Sequence, residues 1–175
     1  MSEILNSRKG EHNLLVYPDT GSFRAIYAPL CKQLIDSNDI VVFLTYYDPV
    51  DSVFKLLSDS GIDVDKHRRN GNLIIADAVE QFLGKGKDFL MFLLRLERQV
   101  KELAKNQVSV ITSMGAFLLY EKIEEMLEYE GLLDLSEVRN WKVLCCYHQG
   151  DYDALPELTK QELLARHNRR LFTVD

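Results

Sequence analysis

The chain has 175 residues, 46% of them hydrophobic and 27% charged, which is the length of one domain with a sizeable core and an ordinary globular composition. Its formal net charge of −6 argues against a nucleic-acid-binding module, which usually carries a basic excess, although His67-Arg68-Arg69 and the stretch from Arg166 to Arg170 are locally basic. No apolar signal core is visible near the N-terminus, the apolar run Phe89 to Leu94 is too short to span a bilayer, and Cys31, Cys145 and Cys146 are too sparse for a disulfide framework, so a cytoplasmic, reducing location is expected.

In chain order, residues 1–11 read as a loose arm and residues 12–175 as a single domain. Leu14-Leu15-Val16-Tyr17 is a strand that stops at Pro18-Asp19-Thr20-Gly21-Ser22. From Arg24 to Ser37 the spacing of Ile26, Leu30 and Leu34 is helical. Pro29 lies inside that stretch, so the helix either starts near Ala28 or bends there. Ile40 to Thr45 is a continuous β-branched and aromatic run, as expected of a strand covered on both faces.

Asp48 is placed to cap the next helix, with Pro49 at its first position and Gly61 as its left-handed stop. Val50, Val53, Phe54 and Leu57 make its inner stripe. His67 to Gly71 reads as a polar turn, and Asn72 to Ala76 as a third strand. Lys85 to Asn106 is the longest helix expected, with Phe89, Leu93, Leu96, Val100 and Leu103 on one face. Its apolar first half suits a core position or a homodimer interface.

Val108 to Thr112 is a fourth strand. Gly115 to Glu130 reads as one helix, with Leu119, Ile123, Met126 and Leu127 inward and Glu121, Glu124, Glu125 and Glu128 outward. Trp141 to Tyr147 is a fifth strand, followed by a turn from His148 to Asp151. Leu158 to His167 is a last helix with Thr159 as its cap, and Leu171 to Val174 a sixth, edge strand. Strands alternating with helices give an α/β fold: three layers, with a mostly parallel sheet of five or six strands and helices on both faces.

In such a sheet, ligands sit beyond the carboxyl ends of the strands. That selects the strand ends Tyr17 to Ser22, Tyr46-Tyr47-Asp48, Asp77, Ser113-Met114 and His148 to Asp151, and from these and the adjoining helix Tyr17, Asp19, Thr20, Ser22, Arg24, Tyr46, Asp48, Ser113 and His148 are the candidate ligand-binding residues. The turn after the first strand stands where a phosphate loop would, but it has one glycine, Gly21, and Ser22-Phe23 where lysine and a hydroxyl residue are needed. Asp77 after Leu73-Ile74-Ile75-Ala76 is the nearest Walker-B-like acid. Cys145, Cys146, His148 and His167 invite a metal reading. On a strand, however, Cys146 and His148 share a face that Cys145 does not, which falls short of a closed zinc site. A Cys–His nucleophile pair has no third member. No metal and no catalytic residue is therefore assigned, and no cofactor is identified.

Several separated segments resemble the MEDS family, the methanogen/methylotroph DcmR sensory domain. These are His12-Asn13-Leu14-Leu15-Val16-Tyr17, then Asp39-Ile40, Gly61-Ile62-Asp63 and Asn70-Gly71-Asn72-Leu73. They continue with Tyr129-Glu130, Val143-Leu144-Cys145-Cys146-Tyr147, Asp153, Leu163 and His167. Asn168 departs from the family pattern where proline is common, and His148 where an acid is usual. The resemblance implies a RecA/KaiC-like fold without a working Walker A. It also implies a non-catalytic signal-input role, with a small ligand linked to one-carbon metabolism and a kinase or transcription regulator as partner. A degenerate nucleotide-binding protein is the alternative, ahead of a Cys/His enzyme or metal protein.

Overall fold

The computed structural model describes residues 10–83, 91, 94–96, 98–100, 102–133 and 141–173. Its centre is a six-stranded sheet in the order β3-β2-β4-β5-β1-β6. The strands are β1 (His12–Tyr17), β2 (Ile40–Thr45), β3 (Leu73–Asp77), β4 (Val108–Ser113), β5 (Lys142–His148) and β6 (Arg169–Phe172). Every neighbouring pair is parallel, so all six carboxyl ends share one edge. Each residue of β1, β2 and β4 is buried. That is why these strands read as unbroken apolar runs instead of alternating ones.

Two cores follow from the two faces. Helices α1 (Thr20–Asp36), α2 (Val50–Asp59) and α3 (Val64–Arg69) cover one face, where Tyr17, Phe23, Tyr27, Phe43, Leu57 and Leu144 pack together. Helices α4 (Ala78–Leu83), α5 (Gly115–Leu119), α6 (Ile123–Leu132), α7 (Gln149–Ala154) and α8 (Glu157–Arg166) lie after β3 in the chain. The second core draws on Leu14, Leu44, Phe117, Met126, Tyr129, Cys145, Tyr147 and Leu163. Among the described residues no helix is long and apolar enough to cross a membrane.

Several local expectations need correction. Helix α1 starts at Thr20, with Asp19 as its cap, and runs through Pro29. Pro29 and Ala25 are both exposed, so the Ala25 carbonyl that loses its partner can turn to water. Pro49, not Asp48, is the N-cap of α2, because the Asp48 carboxylate is engaged by Arg24 and Tyr27. The expected turn at His67 is helix α3, capped by the Asp63 carboxylate, which accepts from Lys66 N at 3.0 Å. Thr159 is buried within α8, whose N-cap is Pro156. The expected turn from His148 to Asp151 is the start of α7.

The single helix expected from Gly115 to Glu130 is two. The chain breaks at Tyr120–Lys122, where Glu121 takes a left-handed φ of 54°. Leu119, expected inside, is 62% exposed at the end of α5. Phe89 and Leu93 of the long helix, and with them most of the apolar segment offered as a dimer face, lie outside the described residues. Leu96, within reach of that helix, is buried in the second core.

A left-handed non-glycine residue costs about 1–2 kcal/mol. Glu121→Gly removes that cost against a smaller loss through unfolded-state entropy, so we expect a gain of about 0.5–1 kcal/mol in urea unfolding. A loss of stability instead would mean that the Glu121 side chain makes compensating contacts.

Candidate functional site

The carboxyl edge of the sheet divides into three zones. The first is the β1–α1 junction. Ser22 donates to Asp19 through both its backbone N–H, at 2.9 Å, and its hydroxyl, at 2.8 Å. Those backbone and hydroxyl bonds hold the Asp19 carboxyl below the usual carboxylate range. A side chain at Gly21 would meet Asp19 Oδ1 at 2.9 Å, so the loop closes tightly over its own carboxylate. Thr20 opens the helix beside it.

The second zone is a clamp between α1 and the loop after β2. Arg24 Nε lies 3.1 Å from both Asp48 carboxylate oxygens, and Arg24 Nη2 also pairs with Asp48. Tyr27 donates to Asp48 Oδ2 at 3.1 Å, and Thr45 Oγ1 donates to the Asp48 carbonyl at 2.7 Å. The hydrogen bonds to Asp48 raise the Arg24 pKa. Arg24, the cation nearest the missing P-loop lysine, is therefore committed to a buried carboxylate. Asp77 is equally occupied: it sits on the far edge strand and accepts the Val79 and Glu80 N–H groups at 2.8 and 3.1 Å.

The third zone is an open cleft of about 430 Å³ lined by Tyr46, Tyr47, Gly115, Leu118, Glu121, Asp151, Leu155 and their neighbours. The Tyr46 and Tyr47 rings meet edge-on at 4.7 Å. The Tyr47 hydroxyl donates to Asp151; burial first, and that carboxylate second, push its pKa up. The His148 ring lies 5.5 Å from Tyr47 and 5.7 Å from Tyr17, while its Nδ1 accepts the Gly150 N–H at 3.1 Å and caps α7. Tyr17 and Ser113 are buried beneath. Burial drives the Tyr17 pKa upward, and the neighbouring Ser113 hydroxyl opposes that.

Of the residues singled out from sequence, Tyr46 lines the cleft, and His148, Tyr17 and Ser113 lie behind or below it. Asp19, Thr20 and Ser22 belong to the helix cap, and Arg24 and Asp48 to the clamp. Tyr47, Asp151 and Gly115 carry more of the cleft than sequence reasoning allotted them. Tyr47 and Asp151 were both in the segments selected at strand ends, but their pairing needs the folded edge.

The cysteines and histidines also resolve differently. Cys146 packs on the α1 face, away from Cys145, which faces His12, Glu130 and His167. His12 Nε2 is 2.9 Å from Glu130 Oε2 and 3.2 Å from Cys145 Sγ. His167 Nε2 is 3.4 Å from the same carboxylate oxygen. Burial alone would raise the Glu130 pKa, but the bond from His12, the His167 charge and the bond from Tyr147 together lower it. Burial, then the Glu130 charge, push the Cys145 thiol well up. His12 and Glu130 were visible only as separate landmarks of the family resemblance.

The profile of a family described as MEDS, the methanogen/methylotroph DcmR sensory domain, matches residues 11–168. Among solved structures, the chain is similar to an uncharacterized protein from Pyrococcus horikoshii crystallised with an unknown peptide. The TM-score is 0.77 at 16% identity, over 99% of this chain and 81% of that one. It is also similar to a KaiC-like protein from Pyrococcus horikoshii OT3, with a TM-score of 0.57 at 20% identity over 81% and 63% of the two chains. The flagellar accessory protein FlaH from Methanocaldococcus jannaschii gives 0.60 at 9% identity over 98% and 75%. The fold is thus KaiC/RecA-like. No curated protein matches the sequence.

Gly115 lets the two tyrosines close over α5: an added Cβ would meet Tyr46 Cδ1 at 2.7 Å and the Tyr47 ring and hydroxyl at 2.9 Å. Gly115→Ala should therefore push Tyr47 off Asp151 and destabilise the fold by about 1–3 kcal/mol, a drop of about 2–4 °C in melting temperature per kcal/mol for this size. An unchanged melting temperature would show that the tyrosine pair is loosely held.

Proposed function

The chain belongs to the MEDS family of sensory domains, whose profile covers residues 11–168, and on that premise we propose that it is a non-catalytic signal-input domain. Its ligand is a small, weakly charged molecule held in the cleft between the Tyr46–Tyr47 pair, α5 and α7. The observation that carries this reading is the occupied N-terminus of α1. In a phosphate-binding sheet protein, that helix end offers free N–H groups and a positive dipole to the ligand. Here the Asp19 carboxylate takes the place of the phosphate, so a nucleoside triphosphate would meet a negative charge where it needs donors.

The rest of the edge supports the same chemistry. Arg24 is spent on Asp48, and the cleft lining combines the Glu121 and Asp151 carboxylates with Leu118, Leu119 and Leu155. A ligand carrying a hydroxyl or amine donor on a short apolar body fits that lining. Tyr46 and Tyr47 would wall it. His148, Tyr17 and Ser113 would set the position of those walls, and Asp19, Thr20 and Ser22 would form the rim. Arg24 and Asp48 brace α1 behind them. The methanogen/methylotroph setting named in the family's description makes simple alcohols and amines the first ligands to try.

The output of such a domain passes to a partner protein, a kinase or transcription regulator. The P. horikoshii protein of similar fold was crystallised with an unknown peptide. In this chain the exposed Leu119 and Tyr120 stand beside the cleft. Together these favour, as a second reading, a peptide segment of the partner docking at this same edge.

Thermal unfolding in the presence of ATP with Mg²⁺, methanol or methylamine tests the reading, because a ligand that binds only the native state must stabilise it. ATP with Mg²⁺ should leave the midpoint unmoved. A binding one-carbon compound at about 100 times its Kd should add about 2.7 kcal/mol, and Tyr47→Ala should abolish that gain. A rise with ATP and Mg²⁺ alone would contradict the proposal and favour a degenerate nucleotide-binding protein.

A further inference from the structure

Away from the carboxyl-edge cleft, four side chains from four separate parts of the chain meet in the interior: His12 at the start of β1, Glu130 in α6, Cys145 in β5 and His167 after α8. All four are buried, and one potential ligand atom from each lies within 4.8 Å of the others. We propose that His12 Nε2, Glu130 Oε2, Cys145 Sγ and His167 Nε2 bind one divalent transition-metal ion, zinc being the best match.

The spacing fits. A tetrahedral zinc with bonds of about 2.0–2.3 Å has ligand-to-ligand edges of about 3.3–3.8 Å. The contacts here are 2.9 Å for His12 to Glu130, 3.2 Å for His12 to Cys145, 3.4 Å for His167 to Glu130 and 3.6 Å for Cys145 to Glu130. The remaining pairs, His167 with His12 and with Cys145, are bounded at 4.8 Å, so admitting an ion requires the tightest contact to open by a few tenths of an ångström and His167 to settle inward.

The surroundings orient the His167 ring and the Glu130 carboxylate and hold the His12 backbone. His167 Nδ1 lies 2.6 Å from the Leu163 carbonyl. A carbonyl only accepts, so Nδ1 carries a proton and Nε2 is the ring atom left to bind an ion. This is the second-shell arrangement that metal-bound histidines favour. The Tyr147 hydroxyl donates to Glu130 Oε1 at 2.8 Å, which leaves Oε2 for the ion. The backbone of His12 is clamped by Asn168, whose Oδ1 accepts the His12 N–H at 2.8 Å and whose N–H donates to the His12 carbonyl at 2.7 Å.

The charge also closes. Two neutral imidazoles, one thiolate and one carboxylate around a divalent ion sum to zero, which removes the penalty of a charge in the interior. One sulfur, two imidazole nitrogens and one carboxylate oxygen are too soft a set for Mg²⁺ or Ca²⁺, which take oxygen ligands. They suit zinc and its neighbours. Binding releases the proton of the Cys145 thiol and displaces any proton from the two Nε2 atoms. The site pins α6, whose first residue, Ile123, also lines the cleft. It nevertheless stands independently of what the cleft binds.

The test uses the full chain without a histidine tag, kept reduced and incubated with excess zinc or cobalt(II), then freed of loose metal by gel filtration. Elemental analysis should give one metal per chain. The cobalt form should show a thiolate-to-metal charge-transfer band and intense ligand-field bands of a tetrahedral site. Cys145→Ser should remove the charge-transfer band, whereas Cys146→Ser, on the opposite face, should keep it. His12→Ala and His167→Ala should lower the bound metal at least tenfold, with circular dichroism confirming that each is folded. Stripping the metal with a chelator should lower the melting temperature of the wild-type chain. The wild-type chain alone can overturn the proposal, by retaining no stoichiometric metal. A charge-transfer band that survives Cys145→Ser would overturn it equally.

Discussion

The buried carboxylate of Glu130 is the constraint on which the rest of the second core depends. An ionised carboxylate out of water costs several kcal/mol unless it is paired and hydrogen-bonded. The groups that satisfy Glu130 come from β1, β5 and the residue that ends α8. The carboxylate therefore fixes α6 against two adjacent central strands and against the chain entering the edge strand β6. Apolar packing alone would tolerate a sliding helix, because dispersion and burial have no direction. A carboxylate with one oxygen on Tyr147 and the other on His12 and His167 has a single position.

The same economy of charge explains the opposite edge of the sheet. At the amino end of β4, the buried Asp39 carboxylate accepts from Gln107 and Ser109 at 3.0 and 2.7 Å, with Lys142 at 3.6 Å. At the carboxyl edge, Asp48 takes Arg24 and Tyr27, and Asp19 caps its own helix. These three acids are thus each tied to a neighbour. The fold keeps the parallel-sheet geometry, while the β1–α1 turn carries a single glycine and no lysine. Position is inherited from topology and ligand chemistry from the residues, which is why a KaiC/RecA-like sheet need not carry nucleotide chemistry.

The strands were legible because β1, β2 and β4 are covered on both faces, and a doubly buried strand has no polar alternation to hide it. The faces of Cys145 and Cys146 followed from the two-residue period alone. The helix breaks were not legible: nothing in Tyr120-Glu121-Lys122 demands a left-handed turn, and the acidic run beyond it reads as one solvated helix face. Asp48 looked like a cap because Pro49 follows it, and only the approach of α1 shows that Arg24 claims it. Tyr47 and Asp151 were within the selected strand ends, but their contact depends on β2 and β5 lying on either side of β4. His12, Glu130, Cys145 and His167 are spread over almost the whole chain. Their convergence needs the order β5-β1-β6 and the placement of α6 over it, neither of which a spacing pattern contains.

The most direct measurement is an anomalous difference map from crystals of the zinc-loaded wild-type chain, with data collected on either side of the zinc absorption edge. A single strong peak among His12 Nε2, Glu130 Oε2, Cys145 Sγ and His167 Nε2, present above the edge and lost below it, is the predicted result. No peak there, with His12 Nε2 still in direct contact with Glu130, would contradict it and leave the cluster a hydrogen-bonded support for α6.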